Sequence, residues 1–128
     1  MKSIINISDR IVTNEFDGTQ HEFMMSAWAV SAISKRYGGF TKIDEALDEN
    51  NPNIFDEIFW ILTTFANAAI LYRNIRLTQD DKLPIIDDDY FSVVSLLYEV
   101  SELKDLIFKC IEKSSSRDIE SESDEGNE

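Results

Sequence analysis

Three carboxylates, Glu99, Glu102 and Asp105, recur at three-residue spacing, which on a helix places them on successive turns of one face. Facing a second acidic pair, such a row can hold magnesium for the metal-dependent hydrolysis of a nucleotide. Asp44 with Glu45, Asp56 with Glu57, and Asp87 to Asp89 are the acids available for the opposite side. Against this chemistry, 25 acids in 128 residues generate such spacings by chance. Lys104 and Lys109 interleave with the row as surface charge balance. Asp87, Asp88 and Asp89 are better placed as the start of a helix, where carboxylates suit the positive end of the dipole. The expectation is no metal, no cofactor and no catalytic residue.

The remaining reactive groups are few. His21 is the single histidine and Cys110 the single cysteine. A metal site needs several such ligands together, and a nucleophilic pair needs a base held beside its nucleophile. His21 therefore reads as a structural or solvated residue. Cys110 lies in the helical apolar run 106–111 and reads as a small core thiol, with no histidine or cluster of cations to make it reactive. A lone cysteine excludes an intrachain disulfide. Gly38-Gly39 lacks the flanking pattern of a phosphate-binding loop.

The elements that would position these groups centre on residues 54–75, NIFDEIFWILTTFANAAILYRNI with its preceding Asn53. No charge interrupts it between Glu57 and Arg73, so it is apolar nearly all the way round, unlike a surface helix with one apolar stripe. The uncharged run is about 15 residues, roughly 22 Å as a helix, whereas a bilayer core needs about 20 residues. A central core helix is expected rather than a membrane span. Upstream, Asp17-Gly18 between the runs 10–16 and 19–24 marks a β-hairpin. Ile4, Ile5 and Ile7 are expected to add a short lead-in strand. Ser26 is placed to cap a helix over residues 27 to about 37, with Trp28, Val30, Ile33 and Tyr37 on its apolar side and Gly38-Gly39 ending it. Thr41 to Asp44 resembles a capping box opening a short helix to about residue 49, and Asn53 is expected to cap the long helix. After a polar connection with Pro84, Tyr90, Phe91, Val94, Leu97, Val100, Leu103, Leu106, Ile107 and Ile111 follow at helical spacing, predicting one amphipathic helix of about 25 residues.

The fold class this predicts is mainly α: about four helices with a short N-terminal hairpin, residues 1–113, followed by a disordered acidic tail, 114–128. Twelve Lys and Arg against 25 acids give a net charge of −13, and 43% of the residues are hydrophobic, enough for one core. A field of that sign repels phosphates and anionic lipids, so neither nucleic acid nor a membrane surface is expected as partner. The first residues carry one Lys and no continuous apolar run, which predicts a chain without a secretory leader and a cytoplasmic setting.

A hairpin leading into residues 23–40, FMMSAWAVSAISKRYGGF, then Ile43-Asp44-Glu45-Ala46-Leu47 and a long apolar helix, is an order of elements with a known counterpart. It resembles the tail assembly chaperones of siphophages and prophages of Gram-positive bacteria, over roughly residues 10–113. Those proteins share a helix ending in a Tyr-Gly or Thr-Gly step and a short helix of "ΦxEAL" type. The long tail and the aromatic central helix depart from their pattern. The resemblance implies no catalytic residues. It implies a client, the aggregation-prone tape measure protein, kept soluble in the bacterial host cell during tail assembly. A holdase of that kind needs apolar surface and strong charge, and the chain has both. The face expected to receive the client is Phe55, Phe59, Leu62, Ala66, Ala69 and Tyr72, three to four residues apart along the central helix. A homo-oligomer is one way to cover that face in the free protein. The alternatives are an acidic protein-binding adaptor and a DNA-mimic inhibitor, neither catalytic; a mimic would spread its acids at phosphate-like spacing, whereas here the densest run lies in the tail.

Overall fold

The computed structural model describes the backbone of residues 10–126 and the side chains of residues 10–115. The expected lead-in strand at Ile4, Ile5 and Ile7 lies outside the described residues. Two strands, β1 (Val12–Phe16) and β2 (Thr19–Phe23), pair antiparallel with Val12 opposite Phe23 and Phe16 opposite Thr19. The two-residue loop has Asp17 at φ 53° and Gly18 at φ 79°. Both are left-handed, as a type I′ turn requires, and this twist matches the strands it joins. Alternation places Val12, Phe16 and Phe23 on the inner face with His21 beside them. At the end of β2 the Met24 N–H donates to the Phe65 carbonyl, 3.2 Å away, tying the hairpin to the middle of the central helix.

Helix α1 (Ala27–Tyr37) starts where the Ser26 hydroxyl accepts from the Ala29 N–H at 3.3 Å. It stops at Gly38, φ 82°, whose N–H and that of Gly39 both reach the Ser34 carbonyl. Its inward residues are Ala29 and Ile33; Trp28, expected inside, is half exposed. Between Gly39 and the central helix the expected capping box does not form. A 3-10 turn at Phe40–Lys42 leads into α2 (Ile43–Ala46), which begins without a side-chain cap and ends three residues before the expected 49. Asn51 accounts for the early stop: its Nδ2 donates to the Ala46 carbonyl at 2.8 Å, and its Oδ1 accepts from the Asn53 N–H at 3.0 Å. Asn53 sits at the cap position of α3 (Ile54–Asn74) but makes no side-chain cap bond.

Helix α3 is the axis of the domain. Residues 61–69 are all buried, whichever way their side chains point, because β2, α1 and the C-terminal helical residues after Tyr90 pack around it. It is long and apolar enough to cross a membrane by composition, and its centre is enclosed by protein instead. Two asparagines strap the following connection to it. Asn67 exchanges hydrogen bonds with the Ile86 backbone, 3.2 Å to its carbonyl and 2.7 Å from its N–H. Asn74, two turns on, does the same with Leu83 at 3.0 and 2.9 Å. A side-chain amide reproduces a peptide's donor and acceptor, so each one pairs with both the N–H and the carbonyl of one residue of the connection.

The expected single last helix is two. Helix α4 (Tyr90–Val94) ends at Ser95, which is extended at ψ 140°, and α5 begins at Leu97 and runs to Gly126. The break has a local cause: the Glu99 carboxylate accepts the Leu96 N–H at 2.7 Å, half of a capping box that starts a new helix. The change of direction takes Leu97 off the inner face, while Phe91, Leu103, Leu106, Ile107 and Cys110 remain in the core. The architecture is thus mainly helical with a two-stranded hairpin. The expected tail falls on the end of α5; its side chains from residue 116 on lie outside the described residues.

Candidate partner-binding cleft

The six residues expected to form one face of α3 do not share an environment. Phe55 is 53% exposed, Phe59 and Tyr72 are half-buried, and Leu62, Ala66 and Ala69 are enclosed. On an all-round apolar helix a 3.6-residue spacing does not tell which side faces out, and neighbours cover the middle of this stripe. Its C-terminal member, Tyr72, opens onto a concavity.

That concavity is a cleft of about 550 Å³ between the start of α1 and the last turns of α3. Trp28, Ala68, Leu71, Tyr72 and Ile75 line it, with Lys82 of the strapped connection at its edge. Trp28 is 50% exposed and Ile75 79% exposed, so two large apolar side chains stand at its mouth in water. The Asn74–Leu83 clip holds Lys82 there by fixing the backbone next to it. Sequence reasoning missed Trp28 as a surface residue, because its helical phase favoured the core. The signal lay in the small residues: Ala29 can approach α3 closely where Trp28 cannot.

Cations gather at this end of α3. The Arg10 and Arg76 guanidinium groups lie over the Tyr72 ring, 5.7 and 4.7 Å from its centre. Arg73 forms a forked pair with Glu22, 2.6 Å on each arm, which joins the helix to β2. At the other end of α3, Glu57 accepts from Tyr37 Oη at 2.6 Å and Arg36 Nε at 3.0 Å, and Arg36 also covers Trp60. Burial, and then the hydrogen bond to Glu57, keep the Tyr37 phenol protonated well above its ordinary range. A second apolar surface, Val93, Leu96, Leu97 and Tyr98, projects from the α4–α5 break.

The residues first considered for chemistry are dispersed. Glu99 caps α5 and Glu57 is occupied by Arg36 and Tyr37. Asp44, Asp48 and Glu49 share a polar hollow with Lys104. Among the described residues, no group of three or more His, Cys, Asp and Glu is placed to hold a metal ion. His21 shares a hydrogen bond of 3.0 Å with Tyr90 Oη and lies edge-on to Phe16, Tyr90 and Phe91. Burial lowers its pKa, so it is a neutral packing residue that docks α4 on the hairpin. Burial pushes the Cys110 thiol up to about 12, which makes it inert.

No protein-family model, no curated protein and no solved structure matches the chain.

Proposed function

We propose that the protein is a tail assembly chaperone: a non-catalytic, cytoplasmic binding protein that shields apolar helices of a tape measure protein before they assemble. The observation that carries this reading is an open apolar cleft on a chain of net charge −13. Trp28 and Ile75 at its mouth offer a client helix the aromatic and aliphatic anchors on which helix-in-groove recognition depends. The acidic remainder keeps the loaded complex soluble. Phe55 and Phe59, on the first turns of α3, are outside this cleft and provide a secondary apolar contact.

The test is co-expression with the tape measure protein of the phage or prophage that encodes this chain. The expected outcome is a soluble client only when both are made, recovered as a complex. A client equally soluble alone overturns the assignment.

A further inference from the structure

We infer that the cleft selects for helices that carry a carboxylate beside their apolar anchor. The inference rests on the cleft being the docking surface proposed above, and it names the chemistry of the partner. One of the chain's 12 cations lines it and two more lie against its wall residue Tyr72. Lys82 is part of the lining, and Arg10 and Arg76 cover Tyr72, whose ring forms the wall. A guanidinium lying over a ring still has its N–H edge free to fork onto a carboxylate. Arg73, next in sequence, already does this with Glu22 at 2.6 Å. The partner that fits is an amphipathic helix of another protein with a large apolar side chain for the space between Trp28 and Ile75, and an Asp or Glu on the adjoining turn.

The probes are three synthetic helical peptides of about 18 residues, long enough to hold a helix when docked. They have leucines three and four apart and differ only at the positions flanking the central leucine, which are Glu, Gln or Lys. Binding to the full chain is read by fluorescence anisotropy at physiological salt. The Glu peptide is expected to bind about tenfold tighter than the Lys peptide, with Gln between them. Arg76→Gln with Lys82→Gln should erase that order, bringing the three affinities together. Ile75→Asp, at an exposed position that tolerates substitution, should weaken all three while circular dichroism shows an intact fold. Equal affinities for Glu and Lys peptides, an order unchanged in the double variant, or no binding of any peptide overturns the inference. Two other occupants would also overturn it. If the free chain sediments as a dimer that Ile75→Asp splits, the cleft belongs to a second copy. If peptides bind only after residues 1–9 are removed, it belongs to the chain's own N-terminus. A rescued tape measure protein with no peptide preference removes only the charge rule. A clear preference with an unrescued client removes only the tape measure assignment.

Discussion

Residues 61–69 and residues 93–98 are both largely apolar stretches of helical sequence, and they end in opposite places. The first is enclosed on every side within α3. The second, at the α4–α5 break, leaves Val93 75% and Leu97 85% exposed. Hydrophobicity alone does not separate them. The first stretch is continuous helix with small residues, Ala66, Ala68 and Ala69, which let the hairpin, α1, α4 and α5 approach together. The second contains Ser95 in extended conformation, so the helical phase that would have turned Leu97 inward is lost at that point. Burial here follows from unbroken phase and from room for neighbours.

The contrast can be broken most severely at its buried end. Phe65 is fully enclosed, and Phe65→Ala should cost about 3–5 kcal/mol in urea unfolding, through lost transfer energy and the cavity left behind. A cost near that of a surface change would mean that the centre of α3 is not packed as described. A smaller effect is expected where polarity enters the same core. Asn67→Ala removes both partners of the Ile86 backbone and should cost about 1–3 kcal/mol. Hydrogen exchange should show the Ile86 amide losing protection in that variant.

Alkali sharpens the comparison in a third way. The Cys110 thiol ionises near 9 in the unfolded chain and at about 12 in the folded one. The native state therefore resists losing the proton, and the stability this represents is complete below about pH 9 and lost as pH rises towards 12. Tyr37, also held protonated, acts in the same direction. The urea midpoint should fall through that window, and Cys110→Ala should make the fall shallower. An unchanged slope would contradict burial of the thiol. The smallest effect belongs to the exposed stretch: Leu97→Ala should shift stability by no more than about 0.5 kcal/mol, measured alongside Phe65→Ala.

What was legible in the sequence was set by neighbouring residues. Asp17-Gly18 fixed the turn, Ser26 and Gly38 bounded α1 to the residue, and the uncharged run located α3, because each signal acts within one or two turns of chain. What was not legible depended on distant partners. Asn51 displaced Asn53 in joining α2 to α3 because it reaches back to Ala46. Asn67 and Asn74 bond to backbone 19 and 9 positions further along, where no local signal points to them. The break at Ser95 was foreshadowed by Glu99, three residues after Leu96, but the apolar period on both sides concealed it. For the candidate site, the expected stripe contributed Tyr72 to the cleft, Ile75 came from the end of the same helix outside that stripe, and Trp28 and Lys82 came from other parts of the chain.

The central claim is that the cleft, and not the apolar break between α4 and α5, receives the client. Ile75→Asp and Leu97→Asp place the same charge on equally open apolar positions of the two surfaces. Co-expressed with the tape measure protein, the soluble fraction of that client is the quantity to measure. The account predicts that Ile75→Asp abolishes the rescue while Leu97→Asp retains it. Rescue that survives Ile75→Asp and fails with Leu97→Asp would contradict it.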